Sequence, residues 1–350
     1  MNSGELLYFS LFIAFILVAL TIDLGLFNKR DRVIKSYQAA IKTGIWISLA
    51  FLFYLFLNLK GEKVHGIANM QDLKSHVNQY GQSVTIIDND YETSIYNYRK
   101  ELSLEFLTGY VIEEALSMDN LFVIILIFAA FNVEKRLYHK VLFWGILGAV
   151  IFRCIFIFSG AILISKFNWI LYLFAAFLIF TGIRMFINRN KKEKIETENH
   201  PIVKFASRWF GIHKHFEGSK FFITINHKKL ITPLFLVLLI IEFSDILFAA
   251  DSIPAIFAVT KDPYVVFFSN IFAILGLRSM FFLLVNVVHK FHFFKYGLSL
   301  LLVFVGLKMI FNEQLKAIGF SIEYSLIVIA LILVTSIGLS LLIPEKRFKV

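Results

Sequence analysis

Long apolar blocks constrain this chain more than anything else in it. They recur along its 350 residues and run for roughly 18–28 residues each, enough for a helix to cross a hydrocarbon layer of about 30 Å. Backbone inside such a layer must satisfy its own hydrogen bonds, so the blocks are helices or barrel strands. Barrel strands would be shorter and would alternate in polarity. The composition agrees with helices: 58% of residues are hydrophobic, 17% are charged and the mean hydropathy is +0.73, whereas a soluble domain carries about 25% charged residues. The expectation is an all-α polytopic membrane protein of nine transmembrane helices, at about 6–27, 39–59, 104–131, 141–165, 169–187, 233–259, 264–288, 296–311 and 323–343.

The loops between these blocks carry the orientation. Basic residues follow spans one, three, five and seven: Lys29, Arg30, Arg32 and Lys35; Lys135, Arg136 and Lys140; a segment from Arg189 to Lys229; and Lys290 and Lys295. The tail adds Lys346, Arg347 and Lys349. The alternate loops are short or mixed in charge. Cytoplasmic loops hold the excess of Lys and Arg, so the N-terminus is expected outside and the C-terminus in the cytoplasm of a cell inner membrane. The net charge of +10 is then topology, and no nucleic-acid partner is expected. Loop 60–103 reads as a solvated outer loop. Segment 189–231 reads as a basic cytoplasmic stretch lying partly on the lipid surface, with His213 and His215 solvated in it. The one cysteine, Cys154 beside Arg153, speaks against dithiol chemistry. No signal peptide is read at the start, since the first five residues lack Lys and Arg and no small-residue cleavage site follows.

Two of the apolar blocks are acidic inside. Gly109 to Phe122 reads GYVIEEALSMDNLF and carries Glu113, Glu114 and Asp119, followed by Asn120. Ile241 to Pro254 reads IEFSDILFAADSIP and carries Glu242, Asp245 and Asp251, followed by Ser252. Carboxylates at membrane depth are costly and mark a function by default. The two stretches also echo each other. Glu113 and Asp119 stand six apart, as do Asp245 and Asp251. The next block in each half ends on an arginine, GILGAVIFR at Arg153 and IFAILGLR at Arg278. The block after that repeats again, FTGIRMF from Phe180 against FVGLKMI from Phe304, which pairs Gly182 with Gly306 and Arg184 with Lys308. The expected organisation is therefore two N-terminal helices and an outer loop (1–103), a first three-helix repeat (104–187), a basic cytoplasmic loop (188–232), a second three-helix repeat (233–311) and a last helix with its tail (312–350). Three helices per unit is an odd number, so the two units enter the membrane from opposite sides, an inverted repeat with its site at the midplane.

At about 100° per residue, Glu113 shares a helix face with Asn120, and Asp245 with Ser252. Glu242 and Asp245 are neighbours three apart. Asp119 and Asp251 fall well round from those faces, so either the site is broad or the helices are broken. Pro254 cannot donate to the carbonyl of Ala250 and offers a break there; a matching break near Ser117 has no proline behind it. Arg153 and Arg278 would each neutralise one carboxylate, leaving acids for a cation or protons, while Glu114 points elsewhere. Ion pairs that only lock the helices are the competing account. Asn270 and Asn286 are further oxygen donors, and Asp23 reads as interfacial. Carboxylate, amide and hydroxyl oxygens suit Mn2+, Ca2+ or Mg2+ rather than Cu(I) or zinc, and the residues do not choose among those three. No bound organic cofactor is expected, and no enzyme.

The stretches FLTGYVIEEALSMDNLFV, GILGAVIFR, LYLFAAFLIFTGIRM, FSDILFAADSIPAIFAVTKDP and SNIFAILGLRSMFFLL resemble the TerC family of tellurium-resistance proteins, its Alx branch above all. The likeness runs from span one through span eight. It implies a membrane protein that exports Mn2+ or supplies it to exported metalloenzymes; an older label for the family is redox modulator. By the same resemblance the metal ligands are Glu113, Asp119, Asn120, Glu242, Asp245 and Asp251, supported by Glu114, Ser117, Ser252, Arg153 and Arg278. The implied function is a manganese exporter, coupled to protons. The alternatives are a membrane scaffold or metal-delivery partner, with proteins docking through the cytoplasmic loop, or a redox modulator.

Overall fold

The computed structural model describes residues 3–23, 36–80, 84–167, 169–188, 211–213, 215–225, 228–285 and 293–343. Helices α1 (Ser3–Asp23) and α2 (Ser36–Lys60) come first. A 3-10 turn at Gly61–Lys63 and helix α3 (Met70–Tyr80) lead to α4 (Tyr91–Ala130), which is 40 residues long. Asp90 starts α4: its Oδ1 accepts from the amide of Thr93 at 3.0 Å and its Oδ2 from the Thr93 hydroxyl at 2.6 Å, a capping arrangement that satisfies an otherwise orphaned donor. A tight turn with Asn132 at φ 50° then reverses the chain into α5 (Lys135–Lys166), followed by α6 (Ile170–Asn188). After strands β1 (Gly211–Ile212), β2 (Phe222–Ile225) and β3 (Lys228–Ile231) come α7 (Pro233–Phe257), α8 (Pro263–Leu284), α9 (Phe294–Ile310), α10 (Asn312–Ala317) and α11 (Ile322–Leu342). Both α7 and α8 open on proline, whose missing N–H costs nothing in the first turn.

Six of these helices are long and apolar enough to cross a membrane: α2, α5, α6, α7, α8 and α11. The remaining three of the nine expected spans fall short on length or composition. Three acids interrupt the apolar part of α4, α9 has 17 residues, and the apolar stretch described in α1 is Tyr8–Ala19. The outward faces of the six candidate spans suit lipid. Leu173, Phe177 and Phe180 on α6 and Leu331 and Val334 on α11 are large, apolar and exposed.

Helix α8 is different, because its apolar window is buried on every side. It packs against α1, α2, α4 and α5. Between α1 and α8 the contact is aromatic: Phe12 meets Phe268 at 4.4 Å between ring centroids and Phe272 at 5.7 Å, and Phe9 meets Phe267 at 5.5 Å. Water does not drive helices together inside lipid, so close packing of this kind has to do it. Helices α6 and α9 pack through glycine in both directions. A Cβ on Gly182 would meet the Ser299 carbonyl oxygen of α9 at 2.8 Å, and a Cβ on Gly306 would meet the Ala175 carbonyl oxygen of α6 at 2.9 Å. These are the two glycines that the sequence echo pairs.

Several expectations need correction. The chain is mostly helical, but residues 211–231 add a small sheet of order β1-β3-β2, with β1 parallel and β2 antiparallel to β3, so the basic segment is folded at its end. Its residues 189–210 lie outside the described ones, as do Asn286, the basic tail and the Asp23 side chain. Loop 60–103 is a folded cap: α3 buries Leu73, His76 and Val77 on one face, and α4 begins thirteen residues before the expected span. Neither acidic helix is broken. Helix α4 runs unbroken past Ser117, and α7 continues through Pro254 to Phe257.

Candidate functional site

Helices α4, α5, α7 and α8 meet around Arg153, which is 0% exposed. Its Nη1 donates to Glu113 Oε1 of α4 and, at 2.7 Å, to Asn270 Oδ1 of α8. Its Nη2 donates to Asp245 Oδ1 of α7 at 3.2 Å. The Ser117 hydroxyl, one turn below Glu113 on α4, donates to the same Glu113 Oε1 at 3.0 Å. One guanidinium thus gathers the two acids that the sequence echo aligns. A planar fork with five donors is built for such a task, since it serves several acceptors at once.

Arg153 exceeds the expected one carboxylate per arginine. Arg153 takes two acids, and Arg278, 2% exposed, brings its Nη2 against Nε2 of His139 near the start of α5. A guanidinium only donates, so that ring nitrogen accepts. Sequence reasoning did not single out His139; a polar ring in the first turns of an apolar helix was the available signal.

Arg153 does not exhaust the acids. Among the described residues, Glu113 Oε2, Glu114 Oε2, Glu242 Oε2, Asp245 Oδ2 and Asp251 Oδ1 are buried without a hydrogen-bond partner, and so is the Ser252 hydroxyl. Burying an ionised oxygen unmatched is among the most expensive things a fold can do. The carboxylate of Glu242 lies where a Cβ on Gly148 of α5 would be, so this glycine makes its room. Glu114 Oε1 is 3.9 Å from the Cβ position of Gly276 on α8, so Glu114 faces the packed interior. Thr181 of α6 lies beside Asp251. Asn120 and Ser252 are buried and Asp119 is half-buried. The acids therefore line a broad interior surface between the two acidic helices and their neighbours. Glu113, Asp245 and Asn270 are drawn together, Glu242 stands beside Asp245, and Asp251 is placed toward α6.

Comparison with known proteins agrees with this reading of the sequence. Residues 98–347 match the family described as integral membrane protein TerC family. An uncharacterized membrane protein of Myxococcus xanthus is 42% identical over 331 residues, 95% of this chain and 91% of its own length. A Photorhabdus laumondii protein named "Putative membrane-bound redox modulator Alx" is 39% identical over 312 residues, 89% of this chain and 88% of its own. The protein of the same name in Escherichia coli strain K12 is 44% identical over 234 residues, 66% of this chain and 72% of its own. No solved structure matches. With the acidic stretches, both arginines and the paired glycines all inside the matched region, this chain is an integral membrane protein of the TerC family.

Proposed function

We propose that the protein is a divalent-metal exporter whose cargo is manganese and whose driving ion is the proton, working in a cell inner membrane with nine spans, the N-terminus outside and the C-terminus in the cytoplasm. The observation that carries this reading is that Glu113, Glu114, Glu242, Asp245 and Asp251 each keep a buried carboxylate oxygen without a hydrogen-bond partner among the described residues, although Arg153 already holds two of these acids. A purely structural knot would match acids to bases. The donors are all oxygen, which suits a hard divalent ion.

In this reading Arg153 is a tethered stand-in for the cargo. It holds Glu113 and Asp245 when no metal is present. An arriving cation competes for the same oxygens, with Glu242, Asp119, Asn120 and Asp251 completing its path. Metal and proton cannot share a carboxylate oxygen, so protons entering from the opposite side release the ion. The two halves carry matched acids, matched arginines and glycines that pack reciprocally, in keeping with an inverted repeat and a rocking motion about the interior surface.

The test is metal flux in proteoliposomes across an imposed pH gradient, with Mn2+, Ca2+ and Mg2+ compared. Mn2+ movement that follows the gradient and is lost in Asp251→Asn and Asp119→Asn supports the proposal. Flux that both variants retain removes the assigned acids from the path. The name of the relatives favours a second reading, a redox modulator. Cys154 is the only thiol in the chain and is half-buried on α5, so redox activity surviving in Cys154→Ser would remove a thiol mechanism. Absence of flux with proteins co-purifying through segment 188–232 would favour a scaffold instead.

A further inference from the structure

Away from the intramembrane acids, three side chains converge where the cap meets the turn between α7 and α8. His65 follows the 3-10 turn of the cap, His76 lies on α3, and Asp262 is the residue before α8. They are 3%, 6% and 0% exposed. One ligand-type atom from each lies within 4.8 Å of the other two, and no other such trio of His, Cys, Asp or Glu occurs among the described residues. Asp262 Oδ2 stands 3.0 Å from His65 Nε2 and 3.9 Å from the Nε2 of His76. For comparison, two ligands about 2.0–2.1 Å from a tetrahedral ion stand a little over 3 Å apart.

The surroundings orient these atoms toward one another. His65 Nδ1 is 2.7 Å from the hydroxyl of Tyr98 on α4, which fixes the ring and turns Nε2 inward. Asp262 Oδ1 is occupied by the amide of Tyr264 at 2.9 Å, which leaves Oδ2 to face the rings. Metal-bound histidines characteristically have their second nitrogen held in this way. Yet His65 Nε2 and Asp262 Oδ2 are buried without completing a hydrogen bond of ordinary geometry, despite their closeness. A cleft of about 630 Å³ is lined in part by Tyr80, whose ring lies against that of His76, and by Thr260, whose hydroxyl accepts from the amide of Asp262.

We infer that His65, His76 and Asp262 form a second metal site, which takes a divalent first-row transition ion and clamps the cap to the α7–α8 turn. Two imidazoles and one carboxylate make a borderline donor set, unlike the all-oxygen interior. Such a set binds Zn2+ or Co2+ more tightly than Mn2+. The clamp joins the cap to the outer end of the two helices that carry Asp245, Asp251 and Asn270. It does not depend on whether the interior acids transport metal.

Co2+ is the probe. Full-length protein in detergent is loaded with Co2+ and dialysed, and bound metal and the visible Co2+ absorption are measured. The expected result is one tightly held equivalent with the intense bands of a low-coordinate site, displaced by Zn2+ and lost in His76→Gln and Asp262→Asn but kept in the paired control His213→Gln with His215→Gln. Tyr98→Phe should keep the stoichiometry and weaken affinity by about 10-fold or more. If the buried variants fail to fold, X-ray absorption at the cobalt edge of the wild-type protein decides. Imidazole scattering that survives Asp119→Asn with Asp251→Asn supports the site. An all-oxygen shell, or the same Co2+ spectrum in every cap variant, reduces the trio to a structural His–Asp pairing and overturns the inference.

Discussion

Arg153 and Arg278 end matched strings of sequence, are both buried, and do different work. Arg153 draws Glu113, Asp245 and Asn270 into one knot across three helices. Arg278 brings its fork against an imidazole on α5. Arg153 faces two acids, while the partners of Arg278 include the nitrogen of an imidazole. A repeated sequence thus supplies a repeated cation, and the packing of the halves decides which partners each of them meets. Arg153 is thus the cation seen to hold both acids that the sequence echo aligns.

The sharpest way to break this comparison is to delete each arginine. Arg153→Met leaves two buried acids facing one another and should cost about 3–5 kcal/mol, the usual penalty for stripping one partner from a buried pair. Thermal unfolding in detergent should show a smaller loss for Arg278→Met, whose guanidinium meets the ring of His139; equal losses would erase the distinction. The glycine pair sharpens it from the other direction, since here the halves behave alike. Gly182→Val and Gly306→Val each push a side chain into a backbone carbonyl, and each should cost about 1–3 kcal/mol in the same assay. A large disparity between them would mean that the reciprocal packing is not shared evenly. Ser117→Ala removes one donor from Glu113 while Arg153 remains, so a loss of about 1 kcal/mol is expected. Cys154→Ser, beside Arg153 but outside its bonds, should leave flux unchanged and move the melting temperature least of all.

Much of this was legible in the sequence. Membrane-length apolar blocks, acids inside two of them, an arginine ending each next block and the glycines of the third are all local patterns, and each carries a physical reason. What stayed hidden depends on contacts between distant segments. Nothing in GILGAVIFR says that Arg153 will reach across to Asp245, or that Gly148 will make room for Glu242. The cap was misjudged for a different reason. Its polar composition suggested solvent, whereas Leu73, His76 and Val77 at helical spacing and Asp90 ahead of Thr93 were signals of a buried face and a helix start. His65 and Asp262 lie far apart in the chain, and only the fold makes them neighbours. Helix α7 is not interrupted because Pro254 lies three residues before its end, where forgoing the bond to Ala250 leaves little helix to break, and α4 has no proline near Ser117.

The enclosure of α8 has a consequence for biogenesis. A segment this apolar is recognised by the insertion machinery as membrane-bound, yet in the finished protein its apolar window is surrounded by other helices rather than lipid. Its aromatic partners Phe9 and Phe12 are made first, and their counterparts Phe267, Phe268 and Phe272 emerge only after most of the chain has been synthesised. The earliest helix must therefore wait for its mate, and a nascent chain halted before residue 263 would hold a half-assembled bundle with a vacant centre.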